Sequence, residues 1–242
     1  MSTRFRHWQA TSAPEVWKML VAANVAVFVY VVLRSPNALS GRGITLGHAQ
    51  LGLTRSALGD GFALRLADGT IFESGGGEWW RLVTAGFLHF GIIHIGFNMY
   101  LLYVLGQMLE PAIGRLRFAL VYVAALLGGS AGSVLLGEGL AGGASGAVFG
   151  LMGLAVVGYW LHGTNPMNTS IGSLLLLNLF VTFLFPGISI GGHLGGAVAG
   201  GVCGLAVMAP AWKRRPRWVS FATPVGVATA AVGVAIAVVG LG

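Results

Sequence analysis

Charge is what this sequence of 242 residues most lacks. Asp, Glu, Lys and Arg make up 9% of it, against about 25% in an ordinary soluble domain, so it cannot clothe a soluble surface. Cysteine is limited to Cys203, which excludes a disulfide scaffold. Carboxylates number 7, and after Glu78 only Glu110 and Glu138 remain. What is abundant is apolar: 55% hydrophobic residues, with 40 glycines. That hydrophobicity excludes disorder. The composition is that of an all-α protein that crosses a membrane several times.

A bilayer core needs about 20 mostly apolar residues per helix. The stretches 16–33, 92–109, 116–136, 144–161, 171–185, 190–209 and 218–241 qualify. The fifth is short and is ended by Pro186-Gly187. The first follows Arg4, Arg6 and His7, as a signal peptide would. It runs too long for one and lacks a small-residue cleavage site, so it reads as a retained anchor.

Lys and Arg set the orientation. With the N-terminus inside, Arg4, Arg6, Lys18, Arg115, Arg117, Lys213, Arg214, Arg215 and Arg217 fall on the inner side. Arg34, Arg42, Arg55, Arg65 and Arg81 fall in one long outer loop, 34–91, which counts less. The expected topology is N-terminus cytoplasmic, C-terminus outside. The run Lys213-Arg214-Arg215-Pro216-Arg217 is then a topology anchor beside membrane lipids, and no nucleic-acid partner is expected. The organisation expected is a cytoplasmic segment 1–15, a six-helix core 16–209, a basic link 210–217 and an additional C-terminal helix 218–242. Inside the long loop, Ala67-Asp68-Gly69-Thr70 predicts a hairpin turn, and Glu78-Trp79-Trp80-Arg81 reads as an interfacial anchor.

Polar groups at membrane depth are expensive and each asks for a reason. His89, His94 and Asn98 lie at the start of the second span, Ser145 at the start of the fourth and His193 at the start of the sixth. Spans two, four and six begin on the same side, so His94, Ser145 and His193 share a depth. His94 and Asn98, four apart, share a helix face. His89 is off that face and is expected higher, near the interface. Gly192, Gly196 and Gly200 form a row that lets a neighbouring helix approach closely. If that neighbour is the fourth span, the row brings Ser145 within reach of His193.

A serine hydroxyl becomes a nucleophile when a base takes its proton, and neutral imidazole suits that role. Glu110 falls at the opposite end of the second span and Glu138 in a short loop with no clear path to His193, so the expectation is a Ser145–His193 dyad rather than a triad. Phe149, four residues after Ser145, would stack on the His193 ring. His94, Asn98 and the Ser145 backbone N–H would serve a developing oxyanion, where losing one donor costs roughly 10²–10³ in rate. No metal and no cofactor are expected.

These residues resemble the rhomboid family of intramembrane serine proteases. The resemblance covers about 78–205. It is carried by Trp80-Arg81, by His89, His94 and Asn98, by Gly106, Glu110, Gly114 and Arg117, by Gly143-x-Ser145-Gly146, and by Gly192-His193-x-Gly195-Gly196. It implies a six-helix bundle around a water-filled cavity, with Ser145 as nucleophile, His193 as base and then acid, and His94, Asn98 and the Ser145 amide as oxyanion site. It implies that 34–91 partly inserts in the outer leaflet, and that the fifth span with the loop 186–190 gates the site. Substrates implied are single-span membrane proteins. The family often has Tyr where this chain has Phe149. A helix after the sixth span makes a six-plus-one arrangement. The compact length suggests a bacterial inner membrane. The competing readings are a non-catalytic rhomboid-like protein that binds membrane segments, and a transporter or channel.

Overall fold

The computed structural model describes residues 15–184, 187–210 and 216–241. Arg4, Arg6, His7, Pro186, Lys213, Arg214 and Arg215, which entered the orientation and span arguments, lie outside these.

Each apolar stretch is a helix. The first is α1 (Val16–Arg34). The long loop follows, with a 3-10 turn at Pro36–Ser40, short helices α2 (Leu46–Leu51) and α3 (Arg55–Leu58), strands β1 (Phe62–Arg65) and β2 (Ile71–Ser74), and a short α4 (Arg81–Thr84). Then come α5 (Ile92–Ile113), α6 (Arg115–Leu135), α7 (Ser145–Leu161), α8 (Ser170–Leu184), α9 (Ile190–Val207) and α10 (Val219–Gly240). Helices α1, α5, α6, α9 and α10 are long and apolar enough to cross a membrane. The apolar helices α7 and α8 are shorter, at 17 and 15 residues. The chain is thus an integral membrane protein of the multi-pass kind.

The breaks between helices have local causes. Gly114, at φ +87°, separates α5 from α6, in a backbone region that L side chains rarely adopt. Ser189 caps α9 by accepting from the Gly192 N–H at 2.8 Å. The hairpin expected at 67–70 is present: β1 and β2 pair antiparallel with Arg65 opposite Ile71, Gly69 has φ +87°, and Asp68 Oδ1 accepts from the Thr70 N–H at 3.0 Å.

The core lies among α5, α6 and α7, where Leu102, Leu105, Phe118, Val121, Leu151 and Met152 are buried together. Helix α9 is wedged between α6 and α7 and shows glycine to both. A Cβ at Gly191 or Gly195 would overlap the Gly132 or Gly128 carbonyl oxygen of α6. A Cβ at Gly196 or Gly200 would overlap the Gly146 or Gly150 carbonyl oxygen of α7. Association inside a membrane rests on such close packing, because lipid supplies no hydrophobic drive between helices. Helix α10 packs on α6 and α9. Its ends are tied by Arg55 Nη2 donating to the Val238 carbonyl at 2.5 Å and by Arg117 Nε donating to Ser220 Oγ at 2.8 Å.

Glu110 sits buried near the end of α5 and caps a different helix. Its carboxylate accepts from the backbone N–H groups of Glu15 (2.7 Å), Val16 (3.0 Å) and Trp17 (2.9 Å) at the start of α1. A helix N-terminus offers unpaired N–H groups and positive potential, and a carboxylate answers both. Replacing Glu110 with Ala leaves these donors without acceptors, at about 1–3 kcal/mol for a buried orphaned group. The melting temperature in detergent should fall by several degrees, and an unchanged melt would refute the cap.

Candidate active site

The N-terminal ends of α5, α7 and α9 meet at one end of the bundle. The loop before α7 reaches its start through two fixed points. Leu53 and Ala141 exchange backbone hydrogen bonds at 2.9 and 2.8 Å, and the Gly143 N–H donates to the Ala85 carbonyl at 2.8 Å. Gly143 has φ +135°, and a Cβ there would come within 2.9 Å of His94 Nε2 and 3.5 Å of Ser145 Oγ. Both the backbone conformation and the space therefore require glycine, and His94 and the serine hydroxyl flank the same point.

Ser145 is the first residue of α7, where a backbone N–H has no intrahelical acceptor. Across from it, Gly146 lies against Gly192: a Cβ at Gly146 would be 3.2 Å from the Gly192 carbonyl oxygen. The His193 ring stacks on Phe149, centroids 4.1 Å apart and planes 16° off parallel. Phe149 is one turn beyond Ser145 on the same helix face, so the imidazole lies over the face that carries the hydroxyl. Among the described residues, His193 Nδ1 is hydrogen-bonded to Thr182 Oγ1 at 2.7 Å. Ser145 Oγ makes no hydrogen bond to the ring.

His94 Nδ1 accepts from the Phe90 N–H at 3.3 Å. In a neutral ring the proton is then on Nε2, the atom that flanks the space beside Ser145 Oγ. Asn98 is buried and spends one amide proton on the His94 carbonyl at 3.0 Å, which leaves a second donor.

His89 differs from its expected position. It is fully buried beside His94, with ring centroids 5.0 Å apart, rather than higher at the interface. Its Nδ1 donates to the Phe87 carbonyl at 3.2 Å and its Nε2 accepts from the Ala144 N–H at 3.5 Å, so it holds the residue next to Ser145. His48, which no sequence argument singled out, donates from Nε2 to the His89 carbonyl at 3.2 Å. Its Nδ1 accepts from Thr45, so a buried chain of hydrogen bonds runs from the long loop to the start of α7.

The Trp80-Arg81 pair divides. Trp80 is exposed, as a membrane-facing aromatic would be. Arg81 is 1% exposed, pairs with Glu78 at 2.7 Å, and donates to the Ala49 and Gly52 carbonyls at 2.7 and 2.5 Å. It pins the long loop together and is not an interfacial charge.

Glu138 reaches the first turn of α9 but makes no contact with the His193 ring among the described residues. Its carboxylate accepts from the Gly191 N–H at 2.8 Å and from Ser189 Oγ, fixing the first turn of α9. Ser189 Oγ also bonds Ser133 Oγ at 2.6 Å. A cavity of about 40 Å³ lies beside these groups, lined by Ser130, Ser133, Ser145, Ser189, Gly143 and Gly192. It has room for three or four waters at about 10–15 Å³ each. No cluster of three potential metal ligands occurs among the described residues.

Fold and site together define a polytopic helical membrane protein in which a serine and a histidine are brought to one place by glycine-lined helix contacts. The rhomboid domain description matches residues 76–210, more than half of the chain. The rhomboid protease GluP of Bacillus subtilis (strain 168) is 38% identical over 128 residues, which are 51% of this chain and 25% of that protein. Rhomboid-type serine protease 2 of Emericella nidulans is 37% identical over 138 residues, 54% of this chain and 27% of that one. RHOMBOID-like protein 2 of Arabidopsis thaliana is 30% identical over 219 residues, 84% and 68% of the two chains. The chain thus spans about a quarter of the length of the first two relatives. It belongs to the rhomboid family.

Proposed function

We propose that this chain is an intramembrane serine endopeptidase that cuts single-span membrane proteins in or near their transmembrane segments. The observation that carries this reading is the His193 ring stacked on Phe149, one turn from Ser145, across helices that only glycine lets touch. Ser145 Oγ attacks the scissile carbonyl carbon as His193 takes its proton. The carbonyl oxygen, now negative, receives hydrogen bonds from His94 Nε2–H, the free Asn98 amide proton and the Ser145 N–H. The C–N bond breaks as His193 returns the proton to the leaving amine. Water from the hydroxyl-lined cavity then hydrolyses the acyl-enzyme by the same steps.

Helix length supports a recessed site. Seventeen residues span roughly 25 Å, short of a hydrocarbon core about 30 Å thick. A 17-residue α7 reaching one surface would therefore leave Ser145 below the other. In this proposal residues 16–209 are the rhomboid core and 34–91 an outside loop, with the N-terminus in the cytoplasm and the C-terminus outside, in a bacterial inner membrane.

The test is labelling of detergent-purified protein by a fluorophosphonate, beside Ser145→Ala. Labelling of the wild type alone is the expected result. A folded wild type that neither labels nor cleaves a single-span substrate in liposomes would refute the proposal.

A further inference from the structure

The sequence offers no carboxylate to orient His193, and the structure accounts for both acids that follow Glu78. Glu110 is committed to the start of α1, and Glu138 to Gly191 and Ser189. Yet an imidazole that acts as a base must present a bare nitrogen to the hydroxyl, which requires its proton to be held on the other. We infer that Thr182, on α8, is the positioning residue that holds it. This rests on the reading of His193 as the base.

The count of protons decides which atom donates. Thr182 Oγ1 lies 2.7 Å from His193 Nδ1 and also 2.7 Å from the Asn178 backbone carbonyl oxygen one turn back on α8. The hydroxyl has one proton. If it pointed to Nδ1, two acceptor oxygens would face each other at 2.7 Å with no hydrogen between them. The arrangement that satisfies both contacts sends the hydroxyl proton to the Asn178 carbonyl and the Nδ1 proton to Thr182 Oγ1. The neutral His193 ring is then protonated on Nδ1 and bare on Nε2.

Burial makes this tautomer matter. Thr182 is 2% exposed and Asn178 is 6% exposed, so water does not compete for the hydroxyl. Asn178 is itself fixed, its amide donating to the Leu174 carbonyl at 2.8 Å. Phe149 fixes the plane of the imidazole and Thr182 fixes its rotation within that plane. A neutral hydroxyl thereby does the orienting part of a triad carboxylate's work, without its charge. The base rides on α9 and is steered from α8, so its orientation depends on those helices staying together.

Two measurements test this on the full chain in detergent. The first needs no mutation: ¹⁵N NMR of histidine-labelled protein at neutral pH, with His193 identified by its loss in His193→Ala. The expected spectrum shows a protonated Nδ1 and a bare Nε2, and the reverse would overturn the inference. The second compares Thr182→Val, which keeps the shape and removes the acceptor, with Thr182→Ser, which restores it. Outer partners that orient metal-ligating histidines contribute about 10–100-fold, and the same order is expected for an orienting hydroxyl here. Thr182→Val should lower kcat and the fluorophosphonate labelling rate by that factor with KM little changed, and Thr182→Ser should recover both. A Val variant that melts like wild type and labels as fast would overturn the inference. Should it fail to fold, the wild-type spectrum still decides. The parent reading fails with a separate signature, a wild type that neither labels nor cleaves, and the role of Thr182 would fall with it.

Discussion

Ser145→Ala and His193→Ala are each expected to lower cleavage of a single-span substrate by about 10⁴-fold or more, and the double variant to be no worse than either alone. Residues that act as one unit are strongly non-additive, because removing either leaves the other with nothing to do. The structure also says what should not change. Ser145→Ala deletes an oxygen that lines a cavity and holds no protein hydrogen bond among the described residues, so no buried partner is orphaned. The bundle should melt as the wild type does. His193→Ala is less clean. It empties the space over Phe149 and removes the Thr182 partner, although Thr182 still donates to the Asn178 carbonyl. A modest fall in melting temperature is expected there, in line with removal of a half-partnered ring. Losses that multiply in the double variant would mean that the two residues contribute separately, and the dyad would be wrong.

The helices were legible because burial in lipid demands long apolar runs, and each run from 16–33 to 218–241 became a helix with ends displaced by only a few residues. The meeting of α7 and α9 was legible from the glycines of the 192–200 row, since their spacing has a mechanical meaning whichever helix they touch. What stayed hidden depended on partners distant in sequence. Thr182 in an apolar helix is an ordinary residue until the fold sets it 2.7 Å from His193. Glu138 seemed isolated because nothing in the sequence says that its loop folds onto the first turn of α9. Arg81 suggested an interfacial charge beside two tryptophans, but its partners are the carbonyls of Ala49 and Gly52, about thirty residues back in the same loop. Helical phase does not locate His89, because it precedes α5, where the chain is not helical. Periodicity places residues within an element and says little about those just outside it.

Gly196→Val should do the most damage to the fold of any single change considered. Overpacking a core usually costs about 1–3 kcal/mol, because side chains around the insertion shift. Here there is no side chain to shift. A Cβ at Gly196 would overlap the Gly146 carbonyl oxygen and come 2.7 Å from its carbon and 3.0 Å from the Gly146 Cα, all backbone of α7. Relief requires α7 and α9 to separate along their length. Gly200 sets the same contact one turn further on, against Gly150, so the two helices cannot simply pivot about it. The loss should reach or exceed the upper end of that range, with an earlier melt. Activity should fall further than stability, since a shift of about 1 Å at a reacting pair costs on the order of 10²-fold in rate, and Ser145 and His193 stand on the two helices being forced apart. Gly226→Val on α10 is the control: a Cβ there meets nothing within 4 Å, and both melting and labelling should match wild type. If Gly196→Val also matches wild type in both, close glycine contact is not what brings the serine to the histidine, and the site must be held together from the loops alone.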